Sequence, residues 1–220
     1  MKILALEFSS RHRSVAALDP EGTSPSRLGV ARETDTRATP VFSLIESALA
    51  RAGLGREAME VIAVGLGPGS ATGIRAAIAV AQGWHLARGV RLLGLSSLEV
   101  LAARLHAEGR RGRVWLATDA QRGEFHLARY ELHAAGPRQI EPLRLATRSE
   151  VAAAAQIGEV VLGPDLAGLV NGAGNAFPDA GALARLAAGM ELVSQPETLE
   201  PIHLRAVSFV KCPPPVRPAG

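Results

Sequence analysis

The sequence predicts an α/β fold of two lobes, each built on a mixed β-sheet with helices on its faces. Two observations carry this prediction. Residues 1–107 begin in the order βββαβα, a meander followed by a βα unit, and continue with a further strand and helix. After a charged break at residues 108–112 the pattern of short strands starts again, so residues 108–220 are predicted to form a second, smaller lobe.

Apolar patterns and turn residues predict the elements of the first lobe. Three closely spaced strands precede an amphipathic helix that stops at Gly53, and Thr39 is its predicted N-cap, with Pro40 in the first turn. A buried strand and a long helix without internal proline follow. The predicted strands are residues 3–8, 14–18, 28–33, 61–65 and 91–95, and the predicted helices are residues 41–52, 73–88 and 97–106.

The second lobe shows shorter and weaker patterns. Its predicted strands are residues 114–118, 124–131, 139–145 and 160–162, and its predicted helices are residues 149–155 and 180–188. Residues 171–178 are predicted to form a loop, and the proline-rich tail after residue 212 is predicted to be frayed. The order of elements in the first lobe is shared by ribonuclease H and by each lobe of the actin-like folds.

Composition excludes several classes of protein. The 220 residues are 47% hydrophobic and 20% charged, which argues for a packed core and against disorder. The net charge of +3 permits contact with nucleic acid without demanding it. The lone Cys212 excludes a disulfide framework, and the short apolar run at the N-terminus is too short for a signal peptide or a membrane span. We therefore expect a cytoplasmic protein.

A glycine-rich turn between a strand and a helix is the first candidate site. It contains Gly67, Gly69 and Ser70, but it lacks the lysine of a Walker A loop and the spacing of a dinucleotide fingerprint. The end of the first strand is the second candidate, because Glu7, Ser9 and Ser10 stand where actin-like phosphotransferases carry an aspartate and phosphate-wrapping residues. Together these six residues could form a vestigial nucleotide or phosphate site. A tight turn and a solvated strand end are the alternatives.

No other catalytic pattern is complete. A two-metal nuclease would need several converging carboxylates, and Glu7, Glu46, Glu99 and Asp119 could meet only if the geometry allowed it. The six histidines are scattered without metal-ligand spacing, and no GxSxG nucleophile elbow occurs. The sequence therefore predicts no catalytic residue and no metal ligand.

Several segments match one family in order along the chain. The stretch from Gly67 to Arg75, continued by Ala81-Gln82-Gly83, resembles the GPGSFTGxRxG…AQG signature of the TsaB (YeaZ) family. Further similar segments are residues 3–9, 94–98, 119–125 and 201–205. The chain departs from the family pattern at several positions. Glu7 stands where the family has aspartate, Ala71 where it commonly has phenylalanine, and Phe125 and His203 where it has tyrosines. Residues 38 and 39 replace the histidine-containing pair of the family.

The resemblance implies a non-catalytic subunit with two actin-like lobes. Such proteins support the synthesis of threonylcarbamoyladenosine at position 37 of tRNA, and they bind the catalytic subunit TsaD through helices of the first lobe. An ATPase, TsaE, joins the complex, and tRNA, ATP or ADP and Mg²⁺ are met only there, so no cofactor is expected for this chain alone. A homodimer is expected in isolation. The expected partner-binding residues are Leu44, Ile45, Ala48, Gly73, Ile74, Ala77, Ile78, Ala81 and Trp84.

Two other functions stay open at this point. An actin-like small-molecule kinase or ATPase would use Glu7, Ser9, Ser10 and the loop at residues 67–73 to hold phosphate-bound Mg²⁺. A direct tRNA-binding module would use Arg75, Arg88 and Arg91. Helical periodicity alone does not give the side of residues 73–88 that faces a partner.

Overall fold

The computed structural model describes residues 1–21, 27–34, 40–156, 158–190 and 199–204. Three sequence predictions lie outside this range: the altered pair at residues 38 and 39, the lone Cys212 and the frayed tail. The part of the chain that the structure describes forms two five-stranded mixed sheets. None of the helices in that part is long and apolar enough to cross a membrane.

The first sheet has the strand order β3-β2-β1-β4-β5. Its first three strands form the predicted antiparallel meander, and β4 and β5 run parallel to β1. Strands β1 and β4 are buried on both faces, which explains their nearly continuous apolar sequences. The strands are β1 (Ile3–Glu7), β2 (His12–Asp19), β3 (Arg27–Thr34), β4 (Val61–Gly65) and β5 (Arg91–Leu95).

Helices cover both faces of the first sheet. Helices α1 (Val41–Ala52) and α2 (Ala71–Arg88) pack on one face, and alternate residues of the strands complete that core. Pro40 itself is the N-cap residue of α1, without a side-chain cap, so the predicted Thr39 N-cap with Pro40 in the first turn is wrong. Gly53 ends this helix in a left-handed conformation, as its sequence predicts. Helix α2 begins two residues before its predicted start, because the Ser70 hydroxyl accepts a hydrogen bond from the Gly73 N–H and caps the helix there.

The second sheet has the order β10-β9-β6-β7-β8. Helix α3 (Ser97–Ala107) covers one of its faces and α4 (Arg148–Gln156) covers the other. A strand occurs within the predicted loop at residues 171–178, since Gly174 and Asn175 pair with the end of β9. The strands are β6 (Gly112–Asp119), β7 (Glu124–His133), β8 (Gly136–Thr147), β9 (Val160–Gly163) and β10 (Gly174–Asn175).

The last helix joins the second segment of the chain to the first sheet. Helix α5 (Ala180–Ala188) follows β10 in sequence, but its apolar residues pack against the face of the first sheet opposite α1 and α2. Asp179 caps α5 by accepting from the Ala182 N–H, and it also accepts two hydrogen bonds from Arg32 of β3. The predicted boundary after residue 107 places this helix in the second lobe, whereas its side chains contribute to the core of the first sheet.

Candidate functional site

The glycine-rich turn packs directly on the end of β1. A Cβ added at Gly69 would lie 2.1 Å from the Ser9 carbonyl oxygen, and one at Gly73 would lie 2.1 Å from the Phe8 carbonyl oxygen. The Ser70 N–H donates to the Ser9 carbonyl at 2.7 Å, which fixes this close approach. Gly69 also has a φ of +151°, a conformation that residues with a side chain rarely adopt. Close packing between backbones therefore explains both glycines.

Glu7, the predicted metal-organising carboxylate, is completely buried at the end of β1. Its carboxylate accepts from the Ser9 N–H at 2.9 Å and from the Ser97 hydroxyl at 3.0 and 3.2 Å. A Cβ added at Gly65 would lie 1.9 Å from a Glu7 carboxylate oxygen, so the glycine leaves just enough room for this side chain. Burial raises the pKa of the Glu7 carboxyl, and its hydrogen bonds oppose that rise.

These contacts do not fit a metal or phosphate role for Glu7. Ser97 holds the carboxylate from one side and also accepts from the Gly67 N–H, so the group links β1, the turn and α3. Among the residues that the structure describes, no three His, Cys, Asp or Glu side chains are grouped to hold a metal ion. The suggested convergence of Glu7 with Glu46, Glu99 and Asp119 is therefore absent from this part of the chain.

Four of the other five vestigial-site residues meet at a cleft of about 490 Å³ between the two sheets. Ser9, Ser10, Gly69 and Ser70 line its wall on the first sheet, whereas neither Glu7 nor Gly67 lines it. The β6–β7 turn and the segment after β9 form the opposite wall; the cleft residues there include Thr118, Asp119, Gln121, His126 and Asp165. The structure thus brings four of the six predicted residues to the cleft, whereas the Glu7 carboxylate lies buried behind Ser9 and does not reach the cleft.

Contacts across this cleft join the two sheets. The Arg11 guanidinium donates to the Asp165 carboxylate at 2.6 Å and lies 5.4 Å from the centre of the Phe177 ring. The imidazole of His12 stacks on the same ring with the centroids 3.7 Å apart, and Arg104 donates to the Phe177 carbonyl. Phe177 and Arg11 therefore form the main link at this side of the cleft. Sequence patterns did not predict this link, because Arg11 is far from Asp165 and Phe177 along the chain.

The structure corrects the predicted partner-binding residues. Eight of them are buried in the core beneath the two helices, where they contact the first sheet: Leu44, Ile45, Ala48, Gly73, Ile74, Ala77, Ile78 and Ala81. Trp84 is partly buried and packs against the same core. The sequence identified apolar faces correctly, but helical periodicity could not tell which face of each helix is buried. The eight buried side chains are therefore not available to a partner of the folded chain.

A second apolar surface lies on the outward side of α1 and α2. It contains two large exposed side chains, Phe42 at 65% and Leu86 at 85% of full exposure. Between them α2 presents small residues, and a Cβ added at Gly83 would meet nothing within 4 Å. We call this surface the outer stripe; its members are Phe42, Ser43, Ala76, Ala79, Val80, Gly83 and Leu86. A shallow groove of about 270 Å³ runs between the two helices where Phe42 meets Ala76 and Val80.

Comparison with known proteins identifies the family. A family model described as TsaD, tRNA N6-adenosine threonylcarbamoyltransferase, matches residues 34–154, which is more than half of the chain. The structure of YeaZ from Pseudomonas aeruginosa matches with a TM-score of 0.70 and 30% identity, over 85% of this chain and 90% of that one. The chain belongs to the TsaB/YeaZ branch of this family. This assignment confirms the resemblance and the two-sheet α/β fold.

Other members of the TsaB/YeaZ family give a consistent result. A second Pseudomonas aeruginosa structure, described as an uncharacterized protein with similarity to peptidase YeaZ, matches with a TM-score of 0.74 and 27% identity over 93% of this chain and 99% of that one. The proteins named "tRNA threonylcarbamoyladenosine biosynthesis protein TsaB" from Escherichia coli K12 and Haemophilus influenzae are 32% and 30% identical over 60% and 58% of this chain. The chain spans about half the length of these relatives, 55% and 53% respectively.

Proposed function

We propose that this chain is a non-catalytic subunit that supports the formation of threonylcarbamoyladenosine at position 37 of tRNA by binding a TsaD-like transferase. Its relatives are named for this biosynthesis, and the matching family model describes the transferase itself. In this proposal the transferase supplies the chemistry and any ATP, ADP or Mg²⁺, and a TsaE-like ATPase joins the assembly. The chain contributes a binding surface and forms a homodimer when the partner is absent.

The outer stripe is the observation that carries this proposal. Glycine in a helix interior costs about 1 kcal/mol relative to alanine. Packing among the residues that the structure describes gives no reason for Gly83, because a Cβ at that position would meet none of them within 4 Å. Small residues on the outside of a helix allow a second helix to approach closely, and Phe42 and Leu86 are placed to anchor such a contact. A partner helix that crosses α2 near Ala79 and Gly83 would bury all of these groups.

The buried Glu7 argues against the alternative of a kinase or ATPase. Its carboxylate is enclosed by Gly65, Ser9 and Ser97, and it does not line the cleft where a phosphate-bound cation would lie. The residues present therefore do not fit Mg²⁺ at this position.

Size-exclusion chromatography with light scattering tests the proposal. The chain is mixed with the TsaD-like protein of the same genome, and a new heterodimer peak that replaces the homodimer is expected. Ala79→Arg on the outer stripe should abolish this peak, whereas Ala153→Arg, at an exposed alanine of α4, should leave it unchanged. Circular dichroism checks that both variants stay folded. A heterodimer that survives Ala79→Arg would refute the assignment of this surface, and no association by the unmodified chain would refute the proposed role.

A further inference from the structure

We propose that a basic rim beside the interlobe cleft, formed by Arg75, Arg122 and Arg148, binds the phosphate backbone of RNA. All three side chains are exposed, and none forms an ion pair with a residue that the structure describes. The choice of RNA over other polyanions rests on the proposed function in tRNA modification. The surface itself is identified from the fold.

The topology brings these three arginines to the same end of the molecule. Arg122 lies in the β6–β7 turn, and Arg148 begins α4 directly after Thr147, which pairs with Glu124 at the start of β7. Arg75 lies one turn after Ala71, and Ala71 shares the walls of the cleft with Ala120 and Gln121 of the β6–β7 turn. The three arginines therefore lie on segments at the same end of the two sheets.

The three arginines suggested by the sequence do not form such a surface. Arg88 and Arg91 lie at the far end of α2 and at the start of β5, and Arg88 lies 3.9 Å from the carboxylate of Glu57. Arg75 is 13 residues before Arg88 in the same helix, a separation of about 20 Å at 1.5 Å per residue. Only Arg75 of that set belongs to the cleft end.

The turn that carries Arg122 adopts an unusual conformation. Gln121 and Arg122 have φ values of +65° and +59°, a left-handed region that favours glycine over residues with side chains. Asp119 holds the turn, since its two carboxylate oxygens accept from the N–H and the side-chain amide of Gln121. Left-handed residues are typical of tight β-hairpin turns, and this conformation places Arg122 at the tip of the β6–β7 hairpin. Here the exposed side chain at the turn is a cation.

The acidic groups near the rim are engaged with their own segments. Asp119 is bonded to Gln121, and Glu150 accepts from Arg144 and from the N–H and hydroxyl of Thr147. These bonds lower the pKa of Glu150, so it is ionised but locally compensated. Glu124, at the foot of the turn, is partly buried. The arginines therefore give this end of the molecule a positive electrostatic potential, which favours the binding of phosphate groups.

Binding of an unmodified tRNA transcript at several salt concentrations tests the proposal. The full chain is compared with a triple alanine variant of the rim and with a matched control, a triple alanine variant of Arg27, Arg91 and Arg110. The control arginines are also exposed but lie at the opposite ends of the strands, and the variant has the same loss of charge. The rim variant should bind at least about tenfold more weakly near 0.1 M salt, and its slope of log K against log salt should be shallower by about 2 to 3. The control variant should have the same RNA affinity and the same salt slope as the unmodified chain.

Two further measurements separate the possible explanations. Arg122→Gly relieves the left-handed backbone, so it should raise or preserve the melting temperature while it weakens RNA binding, and Arg122→Lys should retain binding. Chromatography with the TsaD-like partner should show that a double alanine variant of Arg122 and Arg148, which leaves α2 and its outer stripe unchanged, still forms the heterodimer. Equal affinities and slopes for the rim and control variants would overturn the proposal. It would also be overturned if this double variant lost the protein partner and kept RNA, because the rim would then recognise an acidic protein surface.

Discussion

Replacing Glu7 with glutamine tests the assignment of a structural role to this buried carboxyl. Glutamine has nearly the same shape, and its oxygen can accept from the Ser9 N–H as the native carboxylate does. The Ser97 hydroxyl donates to both oxygens of Glu7, so at one of them glutamine reverses the hydrogen bond and its NH2 group donates to the Ser97 oxygen. The substitution removes the ionisation of this buried group, and the change in hydrogen bonding adds an offset that does not depend on pH.

The sign of the effect follows from the raised pKa. The ordinary pKa of 4.5 holds in the unfolded chain, and burial raises it in the folded protein. The folded state therefore binds a proton more tightly, and Glu7 makes the native protein less stable as the pH rises from 4.5 through the folded pKa. One proton contributes a slope of up to about 1.4 kcal/mol per pH unit within that window. Glu7→Gln should remove this loss, so its stability relative to the native protein should increase with pH and then level off.

Urea denaturation of both proteins at intervals between pH 4.5 and 8 measures this difference. Other titrating groups are common to both chains, so their contributions cancel in the comparison. A difference in unfolding free energy that is constant over this range would refute the reasoning, because it would mean that the pKa of Glu7 is the same in both states. A difference that falls with pH would show that the carboxylate is stabilised as an anion.

Three further substitutions test the packing of the helices. Gly83→Ala should stabilise the protein by about 0.5–1 kcal/mol in urea denaturation, because it improves an exposed helix and meets no neighbour; a loss of stability would contradict the open space found there. Gly73→Ala should cost about 1–3 kcal/mol, since its Cβ would lie 2.1 Å from the Phe8 carbonyl oxygen, and an unchanged melting temperature would show that the backbone moves easily. Asp179→Ala should cost about 1–2 kcal/mol through loss of the α5 cap and of the contact with Arg32, which is itself largely exposed. Asp179→Asn should recover only the stability that is lost with the α5 cap. Thermal denaturation of the two variants separates this contribution from that of the contact with Arg32.

The elements with strong apolar patterns were predictable to within a few residues. The strands at Val61–Gly65 and Arg91–Leu95 and the helix at Ala180–Ala188 have the predicted bounds. Strand β8 is longer than predicted because it lies at the edge of its sheet, where exposed residues and prolines interrupt the alternation. The packing of α5 on the first sheet was not predictable, because a local pattern does not show to which sheet a returning chain belongs.

The candidate site was predictable in composition but not in geometry. The sequence placed Glu7 beside the serines and the glycine-rich turn, and these residues do meet at the end of β1. It could not show that Ser97, from a helix 90 residues away, encloses the carboxylate. The link between Arg11 and Asp165 across the cleft is equally a product of topology.

The small residues of α2 have two different physical causes, which separate its core from its proposed interface. Gly73 and Ala77 point inward, and at Gly73 the carbonyl of Phe8 leaves no room for a larger residue. Ala79 and Gly83 lie on the other, exposed side, where a Cβ added at Gly83 would meet no described residue within 4 Å. A bulky charge at Ala77 should therefore unfold the protein, whereas the same change at Ala79 should leave the fold intact and remove the partner. Ala77 and Ala79 are two positions apart in the sequence and therefore lie about 200° apart around the helix. The contrast between their substitutions distinguishes a packing defect from a lost interface.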